Sequence, residues 1–277
     1  MREFRKKQKR LKKIMNTLVV FTAIYFFVYI GIEPMLAAWS NTVALVAGYV
    51  ADGLVFVVLC VLFAYFSRYG KSDKFLESIE YELSDVGYYL TSRTEKDCDS
   101  YYQAVVSDIR NKNYSVNEKV EVNDFEFDAI GSKGNELFYI VNIDELEKND
   151  VIAYIDSAIY DITAIKVKRR ANAVVLFICD NADDGAVSLS KAINTLGKKE
   201  TVKVAVAIAE MSTSRVYFLG NRVTKCQQMI ANYVMNCEVP IKEEYKAKEQ
   251  LPFQFELEEH MKEFNIKDFK NGTFYAH

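Results

Sequence analysis

IMNTLVVFTAIYFFVYIGI (Ile14–Ile32) and VALVAGYVADGLVFVVLCVLFAYF (Val43–Phe66) decide how this chain is organised. The first is 19 residues without a charge, and the second is 24 with one, Asp52. A helix rises about 1.5 Å per residue, so about 20 residues cross the hydrocarbon core of a bilayer. Backbone in lipid must satisfy its own hydrogen bonds, which makes both stretches helical. Their flanks set the expected orientation. Residues 1–13 carry eight basic residues (Arg2, Arg5, Lys6, Lys7, Lys9, Arg10, Lys12, Lys13) against Glu3 alone. No Lys or Arg follows until Arg68, then Lys71 and Lys74, and the loop Glu33–Thr42 has none. Positive residues stay inside, so the loop is expected outside and both termini in the cytoplasm, with the plasma (inner) membrane as the location. Trp39 and Tyr65 suit interfacial positions. A cleaved signal peptide would need a small-residue cleavage signature and no second span.

The rest of the chain is acidic. Residues 67–277 hold 27 Lys and Arg against 35 Asp and Glu, a poor balance for neutralising phosphates, so nucleic acid is not an expected partner. The lipid bilayer is one, and a protein partner or a homo-oligomer stays open. Histidine occurs only at His260 and His277, which removes Ser-His-Asp, Cys-His and HExxH chemistry. Five cysteines (Cys60, Cys98, Cys179, Cys226, Cys237) show no CxxC spacing and read as reduced thiols, with Cys226 and Cys237 packing beside a helix. Gly131/Gly134 and Asp184-Gly185 match neither a P-loop nor GxGxxG.

Periodicity supplies the elements. Phe75, Leu76, Ile79, Leu83, Val86 and Leu90 recur at helical spacing, and a second helix carries Tyr102, Val105, Val106 and Ile109, with Asp99 as its expected cap. Lys119–Ile130 alternates as a strand, residues 131–135 turn, and Leu137–Ile143 returns. A helical stripe runs from Val151 to Ile165, ending in the basic cluster Lys166–Arg170, which suits a helix C-terminus. Ala173–Cys179 is an apolar run expected in a strand buried on both faces. Ser188–Leu196 reads as a helix stopped at Gly197, Val202–Ala209 and Arg215–Leu219 as paired strands, and Val223–Met235 as a helix. The expected organisation is a basic terminus (1–13), two spans (14–32 and 43–66), an amphipathic helix and linker (67–98), an α/β domain with a mixed sheet (99–220) and a helical extension (221–277).

Three acids stand out. Asp52 lies mid-span, where a carboxylate costs ~2.5–3.5 kcal/mol. It points either to a proton or cation contact, as in an oligomeric channel or transporter component, or to a helix–helix contact in which Gly48 and Gly53 allow close approach. Glu126 and Asp128, two apart on a strand, share a face and could hold Mg²⁺ beside a phosphodiester. Phe127-Asp128-Ala129-Ile130-Gly131 followed by Glu136-Leu137-Phe138-Tyr139-Ile140, with a helix before and a helix and buried strand after, resembles the restriction-endonuclease-like (PD-(D/E)XK) nuclease superfamily over about residues 99–180. The resemblance implies a metal-binding Asp at Asp128 and an acid-x-lysine triplet on the second strand. That triplet falls on Val141, Asn142 and Ile143, which can neither coordinate metal nor activate water. The expected function is a membrane-anchored binding or scaffolding domain on a non-catalytic nuclease-like frame, without a cofactor. A metal-dependent membrane-tethered nuclease and a membrane-anchored sensor are the alternatives.

Overall fold

The computed structural model describes residues 2–164, 170–196, 201–221, 224–262, 265 and 267. It divides into two compact units, Met1–Glu80 with Glu259–His277, and Tyr81–Glu258.

The first unit is built on α1 (Arg2–Trp39) and α2 (Asn41–Ser84), with Ser40 alone between them. The expected loop at 33–42 is therefore helical. Met35-Leu36-Ala37-Ala38 are strong helix formers, and Ser40 ends one helix as it begins the next: its N–H donates to Leu36 O at 2.8 Å, and its carbonyl accepts from the Ala44 N–H at 3.1 Å. The separate amphipathic helix expected after residue 67 is likewise the continuation of α2.

Buried residues of α2 recur at Ala44, Ala51, Val58, Tyr65, Ser72 and Ile79, joined near the end by Asp73 and Leu76, and those of α1 include Gln8, Met15 and Thr22. This seven-residue period keeps a narrow seam facing a neighbouring helix. Gly48 sits against the other helix: a Cβ there would meet Tyr29 Oη at 2.8 Å. Gly53 has nothing within 4 Å, so the expected close approach applies to Gly48 and not to Gly53. At the basic end the seam is polar. Arg5 grips Glu80 bidentately (Nε–Oε1 2.9 Å, Nη2–Oε2 3.1 Å) and also bonds Asp73, which Lys12 reaches at 2.6 Å. Burial works against both carboxylates, yet the hydrogen bonds from Lys12 and Arg5 to Asp73, and from Arg5 and Lys9 to Glu80, hold both below the usual carboxylate range.

The second unit is a mixed sheet covered on both faces, as expected. Its strands are β1 (Tyr89–Leu90), β2 (Ser115–Val122), β3 (Phe125–Lys133), β4 (Glu136–Asn142), β6 (Ala171–Cys179), β8 (Ile193–Leu196), β9 (Val202–Glu210) and β10 (Arg215–Tyr217), while β5 (Glu145–Leu146) and β7 (Asn181–Ala182) form a separate pair. The order is β1-β10-β9-β6-β4-β3-β2, with β8 also on β9. β4, β6 and β9 run parallel, and the remaining pairs in this sheet are antiparallel. Parallel neighbours need crossovers. They are supplied by α4 (Lys148–Ala164) and α5 (Asp184–Ser190).

Alternation along the central strands feeds two cores. Phe138, Ile140, Val174, Leu176 and Ala207 face α3 (Cys98–Asn111), α6 (Lys225–Met229) and the π-helical turn Ile230–Val234. Tyr139, Val141, Val175, Phe177 and Val206 face α4 and α5. A short helix, α7 (Pro252–Lys262), follows.

Four local expectations change. Asp97, not Asp99, caps α3, accepting from the Ser100 N–H at 2.8 Å. Lys119–Ile130 is two strands, because Asn123 and Asp124 both adopt positive φ (50° and 68°), the geometry of a two-residue hairpin turn. Ser188–Leu196 is the end of α5 followed by β8, since Asp183 caps the helix early and Ile193–Leu196 pairs with the free edge of β9. The helix expected over Val223–Met235 starts from a capping box at Thr224 and Gln227 and changes to π geometry at Ile230. Lys166–Arg169, Gly197 and Val223 lie outside the described residues.

The segment leaving α2 enters this unit through a buried ion pair. Lys191, the C-cap of α5, donates to Asp85 Oδ2 at 2.7 Å, Val86 O at 2.9 Å and Phe218 O at 3.0 Å. Asp85 Oδ1 accepts from Tyr89 Oη at 2.6 Å and the Gly220 N–H at 3.2 Å. The two charged side chains are 1% and 0% exposed. Gly220 is required here, because a Cβ would sit 2.1 Å from Tyr89 Oη. Lys191→Met strands the carboxylate and is expected to cost about 3–5 kcal/mol, whereas Asp85→Leu/Lys191→Met together costs much less. Denaturant unfolding of the full chain and its variants measures both.

Glu82, one turn before Asp85, is half-buried, and desolvation raises its pKa to about 7 from 4.5. A carboxyl raised on folding adds stability that is complete below the unfolded value and lost as pH rises through the folded one. Glu82→Gln is therefore expected to raise the melting temperature above pH 7 and leave it unchanged near pH 4, read from thermal melts across that range.

Candidate functional site

Polar side chains gather where β4, β6 and β9 end, the edge at which parallel strands of α/β sheets usually present ligands. Asp128 is central. Pairing of β3 with β4 stops at Ala129 and Ile140, and beyond it Phe127 enters the core opposite to that of Ala129. The regular alternation that would place Glu126 and Asp128 on one face is thus broken at Asp128. Its Oδ2 accepts the Asn142 N–H at 2.7 Å, and its carbonyl accepts Tyr102 Oη at 3.1 Å. The side chain stands in for the partner that β3 does not offer Asn142, which pairs with Ile178 on its other side.

Asn142 extends the network, donating from Nδ2 to Asp99 Oδ1 at 2.9 Å. Immediately after β6, Asp180 Oδ1 accepts from Cys98 Sγ at 3.3 Å, and the Asp180 N–H donates to Asp144 O at 3.0 Å. Burial, and then the bond to Asp180, push the Cys98 thiol up to about 12, so it stays protonated and a weak nucleophile. Glu210 at the end of β9 accepts from Thr213, from Tyr217 Oη at 2.9 Å and from the Ala182 N–H at 3.2 Å.

Glu126 is not part of this edge network. It is exposed, and its charged neighbour is Lys119, at 3.8 Å. Val141 is 2% exposed in the core, and Ile143 packs against the same cluster. Among the described residues, no group of three or more His, Cys, Asp or Glu is arranged to hold a metal ion. Roles missed in the sequence are that of Asn142, whose backbone N–H and side-chain amide bond two different acids, and that of Asp97, whose Asp-x-x-Ser spacing could have marked it as the cap.

Asp52 belongs to the first unit, exposed on α2 beside the buried Ala51. A cavity of about 380 Å³ is lined by Asp52, Tyr29, Glu33, Asn41, Gly48 and Tyr49. The helix contact belongs to Ala51 and Gly48, and Asp52 borders it without being enclosed.

No protein-family model matches the chain, and no curated protein sequence matches it.

The bond from the Asn142 N–H gives Asp128 a structural task. Asp128→Ala is expected to lower stability by about 1–3 kcal/mol, the cost of an unsatisfied buried group, and Asp128→Asn by less, because its amide oxygen still accepts. Denaturant titration of the two variants separates them. Equal losses would place the role in the charge instead of the acceptor.

Proposed function

We propose that the chain is an integral membrane protein in which α1 and α2 anchor an α/β domain that binds or scaffolds at the cytoplasmic surface, with both termini on that side. One observation carries the reading. In the most apolar 18-residue window of each helix only 11% of residues are buried, at mean hydropathies of 1.9 and 2.4. A helix in the core of a soluble protein is covered, whereas Phe21, Phe27, Val46, Phe56, Leu59 and Phe63 are exposed, an arrangement that lipid satisfies and water does not.

The domain is read as a restriction-endonuclease-like frame without its chemistry. Supporting this is the order α3, three antiparallel strands, α4 and then a strand parallel to the third. Val141 and Ile143 stand where the resemblance asks for an acid and a lysine, and Asp128 is engaged by Asn142. Phosphodiester cleavage needs at least two fixed acids and a group that organises water.

A second reading, that the hairpin self-associates, is favoured by Asp52. An exposed carboxylate in a span is costly, and polar groups of a second copy would offset that cost. In lipid, Asp52→Leu is then expected to shift cross-linked species towards monomer.

Two measurements test the main reading. Membrane-impermeant maleimide applied outside intact cells should label Ser40→Cys, in an otherwise cysteine-free chain, and spare a cysteine at Lys248. The reverse pattern overturns the orientation. The purified chain with Mg²⁺ or Mn²⁺ should leave single- and double-stranded DNA and RNA intact, and cleavage abolished by Asp128→Ala would establish a nuclease.

A further inference from the structure

The cations of α1 from Arg5 onward fall into two sets. Arg5, Lys9 and Lys12 are matched by Asp73 and Glu80. Lys6, Lys7, Arg10 and Lys13 are exposed, with no acidic partner among the described residues. The free set faces away from the seam: Lys6, Arg10 and Lys13 follow at helical spacing, and the same stripe runs on through Thr17 to Val20, Phe21 and Ile24.

A groove of about 650 Å³ borders this face, lined by residues that include Lys9, Lys12, Lys13, Asn16, Phe21 and Ile24. Of the second set Lys13 lines it, while Arg10 and Lys6 lie about one and two turns towards the N-terminus on the same stripe. Its chemistry changes in one direction, from ammonium through amide and hydroxyl to aliphatic and aromatic. Lys9 to Ile24 covers about 22 Å at 1.5 Å per residue. Phe21 and Ile24 are 60% and 58% exposed, so the apolar end is bare.

We propose that this face of α1 is a binding site for an anionic phospholipid, with the phosphate at Lys13 in the groove, Arg10 and Lys6 adding positive charge along the adjoining stripe, and one acyl chain lying over Phe21 and Ile24. This rests on the membrane reading above and adds to it a headgroup preference and a place. Three features select this occupant. No acid among the described residues pairs with these cations, and a zwitterionic headgroup would exploit them poorly. The groove continues into bare apolar surface, for which a free phosphate has no use. The cationic set precedes the uncharged run, at the depth where headgroups lie. Asn16, exposed, offers an amide donor to the phosphate or glycerol oxygens, whereas Thr17 already donates to Lys13 O at 3.0 Å.

The test reconstitutes the full chain in phosphatidylcholine nanodiscs and measures, by electron spin resonance, the motionally restricted fraction of chain-labelled phosphatidylglycerol against identically labelled phosphatidylcholine. The expected result is at least a tenfold preference for phosphatidylglycerol, lost in Lys6→Gln/Arg10→Gln/Lys13→Gln and kept in Lys13→Arg. Phe21→Ala should reduce retention of phosphatidylglycerol while leaving its salt sensitivity. Glycerol 3-phosphate, lacking acyl chains, should not compete. Equal retention of the two lipids, or a preference that survives the triple variant, overturns the proposal. Full competition by glycerol 3-phosphate also overturns it, in favour of a small-anion site. Alkaline-resistant incorporation into the phosphatidylcholine discs is scored first: failure there removes the membrane reading and this proposal together, whereas incorporation without preference removes this proposal alone.

Discussion

Lys191 and Asp85 form an ion pair closed off from water, and the α/β unit depends on its being complete. Taking two charges out of water costs several kcal/mol each, which their attraction offsets only when every remaining donor and acceptor is engaged. Here the ammonium has three acceptors, Asp85, Val86 and Phe218, and the carboxylate has three donors, Lys191, Tyr89 and Gly220. The constraint fixes several elements at once: the segment after α2, the start of β1, the C-terminus of α5 and the chain leaving β10. Gln254 adds a bond to Asp85 O at 3.3 Å, which brings the first turn of α7 to the same place. Burial drives the Lys191 pKa down, with the Asp85 charge opposing it. The pair specifies where these segments meet more than it adds stability, as the expected tolerance of a paired apolar replacement expresses.

The helical hairpin follows a different logic. Its seam is small or polar for most of its length, with Ala44, Gly48, Ala51 and Thr22 bringing the backbones close. Met15, Val58, Tyr65, Leu76 and Ile79 are buried, while most other large apolar side chains of the two spans are exposed. Helices associate in this manner when apolar surface is no burden on the outside and close packing supplies the attraction. Asp73 and Glu80, the acids that pair with Arg5, Lys9 and Lys12, belong to the same unit, and among the described residues no acid pairs with Lys6, Lys7, Arg10 or Lys13.

Much of the α/β fold was legible where a single physical cause acts. Ala173–Cys179 read as a strand because burial on both faces removes every polar residue, Val202–Ala209 because Lys203 alone interrupts an apolar run, and α4 as a helix because one face alone is buried. Legibility failed where a local pattern admits two structures and a distant partner decides. Ile193–Leu196 continues a plausible helical pattern, and only the open edge of β9 makes it a strand. The Asn123-Asp124 turn carries a recognisable dipeptide, but the charged alternation on both sides of it read as one strand. Of the candidate site, Asp128 was found from its place at the hairpin, whereas its bond to Asn142 depends on where the β3–β4 ladder breaks, which spacing does not encode. Asp85 and Lys191 lie 106 residues apart with no periodic signal between them.

Native-state hydrogen exchange tests the central role of the buried pair most directly. If the pair holds the segment after α2 within the α/β unit, the amides of Tyr88–Leu90 exchange only when the whole unit opens, with the same free energy and denaturant dependence as those of Val174–Ile178 in β6. Exchange of Tyr88–Leu90 through a low-energy local opening, while β6 stays fully protected, would contradict it.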